Sequence, residues 1–404
     1  MSAARGWEAC LASAMIALGA CRSPESGPSE VVSIDSSGVR ITSVPRASAA
    51  GASEWSTGTV PRVRIGAPVD GGPSQYFRIS GVRMLSADRI MFSTDASKQL
   101  FVVDTQGTTI EVRGRSGRGP FEFQHLQMLK STDTSMVALF DALLRQVTVV
   151  PTTQFEPTVM SLAALGLGSL IPIVRFTDGQ LLVRRPGPLP APVERGVVAG
   201  VDSLVRVDAS GIIVAAFGGH PADERVLRLN ASGGLTGGRP PYGRKLLVDG
   251  NDSVVVVVAS GARELRLYEP HGGLASIVRV DRPLRPVVAA TRRAYRERVL
   301  RDVRDDYGIR EWTMLSDDDV FPAELPAFDL LLVDREGAIW VRETVALADT
   351  VAEWSVFDRA GSPVGRARLP AGFTPFDITR DRIAGVWLDS LGGEQVQVWA
   401  LTRR

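Results

Sequence analysis

Cysteine, histidine and lysine are scarce in this chain of 404 residues. Its histidines are His125, His220 and His271. So few imidazoles argue against a zinc or haem site built on histidine. Arginine carries almost all of the positive charge, and the net charge of +1 argues against an overall attraction to nucleic acid or anionic lipid. After the amino terminus, the longest strongly apolar run is Val254–Ala259, which is too short to span a bilayer.

The amino terminus reads as a targeting segment. After Arg5, an apolar stretch runs from Ala9 to Ala20, which is shorter than a membrane span. It ends in Leu-Gly-Ala followed by Cys21, and this resembles the lipobox of bacterial lipoproteins. The resemblance implies diacylation of the Cys21 sulfur, cleavage before it and acylation of the new amino terminus. The alternative is an ordinary signal peptide with an incidental cysteine.

Three regions follow from this interpretation. Residues 1–21 are the signal peptide, which contains Cys10. The mature chain then keeps one cysteine, which excludes intramolecular disulfides, a thiol nucleophile and a thiolate metal cluster. Residues 22–59 are predicted to be a flexible tether with a short hairpin over Glu30–Val44, and residues 60–404 form the body.

The body repeats one pattern six times: a strand, a polar turn and a strongly β-forming strand. The copies are Leu85–Phe92, Ser131–Leu139, Phe176–Val183, Val248–Val256, Val333–Val341 and Ile378–Val386. A second pattern, an acidic residue followed after two positions by glycine, marks further hairpin turns. It occurs at Asp104–Gly107, Asp208–Gly211, Glu269–Gly272 and Asp358–Gly361, with Pro151–Gln154 in the corresponding place of the second repeat.

Four strands per repeat and six repeats predict an all-β chain folded as a six-bladed β-propeller. The last repeat lacks its own fourth strand, and Val60–Ile65 is expected to supply it and close the ring. Seven blades is the main alternative count. The glycine-rich segment Arg113–Phe123 resembles the blade junction of NHL-type repeats, and Asp35–Ile41 resembles the start of a group of bacterial six-bladed propeller lipoproteins. This resemblance supports the fold far more than a function.

The long connections all fall on one predicted face of the propeller. They are Gly66–Phe77, Gly114–Gln124, Pro186–Asp202, Gly218–Arg244 and Arg282–Ala327. Insertions in repeat proteins gather on the binding face, so this long-loop face is the expected binding surface, with random insertion as the alternative. The largest insertion lies between blades 4 and 5 and contains a predicted arginine-rich helix, Val288–Tyr307. That helix is either a lid over the axial channel or a surface helix with one packed stripe.

Candidate ligand-binding residues come from two of these connections. They are Arg113, Arg115, Arg118, Glu122, His125 and Trp312. Arg115 and Arg118 suit a carboxylate or phosphate, although the loop lacks the lysine and the strand–loop–helix context of a nucleotide site. His125 is expected near the channel mouth, and Trp312 is the candidate exposed aromatic residue. The acidic run Asp317–Asp319 lacks the alternating spacing of a calcium loop, which favours a solvated loop.

Two functions are consistent with these observations. The first is a monomeric, lipid-anchored module of the bacterial envelope, on the periplasmic or extracellular side. It binds an envelope protein, peptide or glycan through the long-loop face, with no cofactor, metal or nucleic acid. The second is a metal-dependent hydrolase or lyase in the central channel, as in the gluconolactonase-like and amidating-lyase propellers. The chain has two asparagines and few histidines for such a site, which favours the binding module.

Overall fold

The computed structural model describes residues 30–45, 53–66, 76–153, 156–167, 169–189, 195–229, 235–302, 318–389 and 392–403. Cys21 and Trp312 lie outside these residues, as does the carboxyl-terminal part of the predicted helix. The described chain is almost entirely β-structure, with one α-helix, Ala289–Asp302, and a single 3-10 turn, Asp318–Val320. Neither described helical segment has the length and apolarity that a membrane span requires.

Strand pairing places most of the described strands in six successive antiparallel sheets, numbered in chain order. Sheet 1 contains Ile79–Met84, Arg89–Thr94, Gln99–Asp104 and Thr109–Arg113. Sheet 2 contains Leu126–Ser131, Met136–Asp141, Gln146–Pro151 and Thr158–Ser161. Sheet 3 contains Ile171–Arg175, Leu181–Arg185, Val201–Val207 and Ile213–Pro221.

Sheet 4 contains Leu246–Gly250, Val255–Ala259, Glu264–Glu269 and Gly272–Val280. Sheet 5 contains Phe328–Val333, Ile339–Glu343, Val351–Phe357 and Pro363–Pro370. Sheet 6 contains Phe373–Ile378, Arg382–Leu388, Glu394–Thr402 and, from the amino-terminal side, Val63–Ile65. In each sheet the strand named first is the inner strand and the strand named last is the outer strand.

Apolar side chains fill the spaces between successive sheets. Leu182 of sheet 3 shares a buried cluster with Val257 of sheet 4. The strand Val255–Ala259 is apolar at every position because sheets pack on both of its faces. Val396 of sheet 6 packs in the same way with Phe92 of sheet 1, so the last sheet meets the first. A closed ring of four-stranded sheets defines a β-propeller.

The amino-terminal segment departs from the expected flexible tether where it is described. Val32–Ser36 and Val39–Val44 form the predicted hairpin, but the second strand also pairs in parallel with the outer strand of sheet 4. Ser53–Thr57 pairs in parallel with the outer strand of sheet 5, and its end also pairs with sheet 6. We call residues 30–45 and 53–66 the N-terminal strap. Outer strands present unpaired N–H and C=O groups, and these groups hold the strap in place.

The insertions near sheets 3 to 5 build a separate small cap. Its three-stranded sheet consists of Arg195–Val198, Arg225–Leu229 and Leu235–Gly238. Its buried core consists of Val226, Val287, Val320, Phe321, Leu325 and Ala346. The helix packs against this core through Tyr295, whose ring lies 5.3 Å from the ring of Tyr242. One stripe of the helix is therefore packed against the core of the cap.

Candidate functional site

The inner strands of all six sheets surround a central cavity of about 820 Å³. Short turns at the ends of the inner strands also line the cavity, through Thr132, Thr134 and residues 251–253 and 334–336. None of the described residues of the long connections lines this cavity; they lie at 66, 76–77, 114–124, 186–189, 195–202, 218–229, 235–244, 282–302 and 318–327. The cavity thus belongs to the inner strands and the short-turn end of the ring.

Charged groups in the cavity wall are balanced in number. The basic residues are Arg83, Lys130, Arg184, Arg335 and Arg359, and the acidic residues are Asp249, Asp252, Asp334, Glu336 and Asp377. Most of them are joined in ion pairs, some to partners outside the wall. Asp334, for example, has a fully buried side chain and lies 2.9 Å from Arg403. Arg184 contacts Asp202 and Asp223.

One ion pair crosses the cavity. The Lys130 Nζ of sheet 2 lies 2.7 Å from the Asp249 Oδ2 of sheet 4, and it also donates to the carbonyl of Val333 in sheet 5. Sheets 2 and 5 are three positions apart in the ring, so the lysine side chain reaches across the axis. The same Asp249 oxygen accepts the Val333 N–H at 2.7 Å, and the other oxygen accepts the Gly250 N–H at 2.8 Å.

A second ion pair repeats this arrangement where sheet 6 meets sheet 1. Asp377 accepts the Met84 N–H at 2.8 Å. Arg335 donates to both carboxylate oxygens, at 2.9 and 2.5 Å, and to the Met84 carbonyl at 2.6 Å. In both places a carboxylate of one inner strand binds the backbone of the next sheet's inner strand, and a basic side chain bridges the two. These two clusters join neighbouring sheets at the axis.

Arg83 is the exception among the buried charges of the wall. It is 7% exposed, and its Nη1 and Nη2 donate to the carbonyls of Met136 at 2.9 Å and Asp133 at 2.6 Å. Within the described chain, no acidic side chain forms an ion pair with it. Burial lowers the pKa of Arg83 to about 10, an effect that the nearby Asp377 only partly offsets.

The glycine-rich loop predicted to bind an anion is organised by its own glutamate. Arg115 Nε lies 2.8 Å from Glu122 Oε1, and Glu122 Oε2 accepts the N–H groups of Arg118 at 2.8 Å and Gly119 at 2.7 Å. These backbone bonds and the Arg115 guanidinium lower the pKa of the Glu122 carboxyl below its ordinary value. The carboxylate thus occupies donors that an external phosphate would need. Arg113 is paired with Glu111 at 2.6 Å.

The described candidate residues from the sequence lie away from the cavity. Arg113, Arg115, Arg118, Glu122 and His125 are absent from its wall. The His125 N–H lies 3.3 Å from Asp141 Oδ2, and its ring Nδ1 is buried with no hydrogen-bond partner in the described chain.

Sequence reasoning missed the residues that do meet in the cavity. Asp249 and Asp377 each stand at or next to the start of a copy of the repeated pattern, at the end of an inner strand. Lys130, one of three lysines, directly precedes another copy. A charged residue within one position of the start of several copies is the signal that could have indicated this site.

The described residues offer no set of ligands for a metal ion. Across the described ranges, no three His, Cys, Asp or Glu side chains are grouped so that they could hold a metal ion. The carboxylates of the wall are instead bound to basic side chains and backbone N–H groups. The residues that the structure describes do not fit the metal site that the hydrolase or lyase alternative requires.

No family model matches this chain, and neither does any curated protein. Among solved structures it is similar to a Bacteroides fragilis protein described as exported, with 10% identity over 90% of this chain and 99% of that one and a TM-score of 0.47. It is also similar to the β-propeller domain of Cps50 (Swd1) from Myceliophteria thermophila, at 10% identity, 82% and 99% coverage and a TM-score of 0.38. A streptogramin B lyase gives 9% identity, 88% and 99% coverage and a TM-score of 0.38. The propeller assignment rests on the strand pairing and packing of this chain itself.

Proposed function

We propose that this chain is a six-bladed propeller lipoprotein of the bacterial envelope that acts as a binding module, with its ligand site in the central cavity. The cavity of about 820 Å³ is the observation that supports this function. Its volume lies in the range of small-molecule sites, and its wall combines apolar side chains with a few convergent charged groups. The six described sheets, with sheet 6 packed on sheet 1, support the blade count.

The long-loop face is a second surface of the proposed module. Binding of a peptide, glycan or protein there stays a prediction. The cap supports it because the insertions share an apolar core, and a shared core presents a preformed surface. Ligand capture by Arg113, Arg115, Arg118, Glu122, His125 and Trp312 also stays a proposal. Because Arg115 already donates a hydrogen bond to Glu122, a ligand that binds Arg115 has to displace the Glu122 carboxylate.

Binding in the cavity is tested by narrowing its mouth. Thr134 is an exposed turn residue of the wall, so Thr134→Trp should obstruct the cavity and leave the sheets intact. Thr109→Trp is the matched control because Thr109 is exposed and lies off the wall. Ligand-observed NMR with a library of small polar molecules, on the full chain in detergent, should give hits that Thr134→Trp loses and Thr109→Trp keeps. An absence of hits, or hits that both variants keep, contradicts a cavity site.

Lipid anchoring is a separate part of the proposal and rests on the lipobox resemblance around Cys21. The described strap begins at Glu30, nine residues later, so the anchor would hold the propeller close to the membrane surface. Cys21→Ala should release the protein from membranes, whereas Cys10→Ala should leave it attached. Fractionation after a high-salt wash measures both. Membrane retention of the Cys21→Ala protein would show that the anchor is wrong.

A further inference from the structure

The two axial carboxylates of the cavity have their hydrogen-bonding capacity occupied. Both oxygens of Asp249 accept bonds, from Lys130 and from two backbone N–H groups. Both oxygens of Asp377 accept bonds, from Arg335 and from a backbone N–H group. A cationic ligand would therefore have to compete with basic side chains that the fold already holds in place. The axial carboxylates are poorly suited to recognise it.

The N–H donors of Arg83 and Lys130 are used less fully than the oxygens of the two axial carboxylates. A guanidinium carries five N–H groups, and Arg83 makes two hydrogen bonds, both to neutral carbonyls. An ammonium carries three, and Lys130 makes two. Buried charges in proteins are normally paired because an unpaired charge out of water is costly. Arg83 is 7% exposed, lines the cavity and has no carboxylate partner among the described residues.

The cavity also exposes apolar surface inside the ring. Phe376 and Ile171, from the inner strands of sheets 6 and 3, are 37% and 40% exposed. Both line the cavity. In the other inner strands the large apolar side chains mostly pack between sheets, as Leu126 and Phe328 do at 0% and 3% exposure. An aromatic or aliphatic ligand group would bury the exposed faces of Phe376 and Ile171.

We propose that the central cavity binds an amphipathic organic anion, whose carboxylate, phosphate or sulfonate group pairs with Arg83 and Lys130 and whose apolar part packs on Phe376 and Ile171. This inference rests on the proposed function, since it names the ligand class of the same cavity. A charge-assisted bond gives Arg83 the directly paired acidic group that it lacks among the described residues, since Asp377 acts on it without an ion pair, and Lys130 adds its third donor. A wall with a charged layer and an apolar patch selects molecules that carry both features.

The test compares three probes that share one ring and differ in charge: phenyl phosphate, benzyl alcohol and benzylammonium. Isothermal titration calorimetry of the full chain in detergent should show that phenyl phosphate binds at least about 10-fold more tightly than the other two, because it alone carries an anionic group that can pair with Arg83 and Lys130. A factor of 10 in affinity corresponds to about 1.4 kcal/mol. Its affinity should also fall as salt is raised. Preference for the neutral or cationic probe overturns the ligand class and leaves the cavity a binding site. No binding of any probe overturns both.

Variants assign the two halves of the site. Arg83→Met should reduce phenyl phosphate affinity at least about 10-fold, and Arg83→Lys should restore part of it. Phe376→Ala should weaken binding several-fold, whereas Phe77→Ala should not, because Phe77 is 49% exposed but off the cavity wall. If Arg83→Met fails to fold, Lys130→Gln and Phe376→Ala carry the test. Unchanged affinity in the folded variants of wall residues refutes the inference.

Discussion

Trp55 fixes the N-terminal strap to the propeller, and its removal tests whether the strap is part of the fold. Its side chain is 7% exposed. The indole ring meets Trp340 edge to face at 5.2 Å, and the Arg403 guanidinium lies over it at 4.7 Å. An indole buries roughly 150–250 Å², which at about 25 cal/mol per Å² corresponds to about 4–6 kcal/mol as an upper bound.

We expect Trp55→Ala to lower the free energy of unfolding by about 3–5 kcal/mol, the usual range for a buried large aromatic residue replaced by alanine. Urea unfolding followed by far-UV circular dichroism measures this loss without relying on the fluorescence of the deleted indole. Trp55→Phe keeps a ring in the pocket and should lose less. Ser53→Ala, at an exposed position of the same strand, should stay within about 0.5 kcal/mol of the wild type.

Hydrogen exchange gives an independent measurement. In the wild type the amides of Ser53–Thr57 that pair with sheets 5 and 6 should be protected, and Trp55→Ala should release them before the rest of sheet 5. A loss of less than about 0.5 kcal/mol in Trp55→Ala, together with unprotected amides in the wild type, would show that these residues form a tether.

Further predictions concern packing and pH. Gly365→Ala should cost about 1–3 kcal/mol in urea unfolding, because its Cβ would lie 2.5 Å from the Trp55 ring nitrogen; an unchanged midpoint contradicts this contact. The carboxyl pKa of Glu122 is lowered below its ordinary value of 4.5, so its stabilisation is present above that pH and is lost as the pH falls through the folded-state value. Glu122→Gln should therefore be less stable than wild type at pH 7, a difference that should shrink in acid. Burial lowers the pKa of His220 below 6.5, so wild type should lose stability relative to His220→Gln as the pH falls from about 8 to about 5. Parallel stability curves would refute either pH assignment.

Local features of the fold could be predicted from the sequence because they depend on residues that are close along the chain. In the turn Asp208–Gly211, the aspartate Oδ1 accepts the N–H groups of Ser210 and Ile212, at 2.9 Å each. Gly211 has a φ of +84°, which glycine adopts without strain. Acidic-x-x-Gly favours such a turn through contacts between residues that are close along the chain. The Gly114–Gln124 loop was recognised as a unit for the same reason. Arg115 and Glu122, which form a hydrogen bond within it, are seven positions apart.

The residues that meet in the central cavity could not be predicted in this way, because they are far apart along the chain. Lys130 and Asp249 are 119 positions apart, and Arg83 meets carbonyls about 50 positions away. Each residue alone reads as an ordinary charge at the end of a strand. The choice of partners depends on the order of sheets around the axis and on the register of each inner strand.

The sequence by itself determined the strands, the hairpin turns and the repetition of a four-stranded unit, because alternation, β-branched side chains and turn chemistry act over a few residues. Tertiary structure alone decided the course of the strap. The sequence predicts the hairpin that contains Val39–Val44, but it does not predict that this strand and Ser53–Thr57 pair with the open outer edges of sheets 4 and 5. Ring closure likewise decided which charges meet at the axis, because burial selects pairs by position in space and not by distance along the chain.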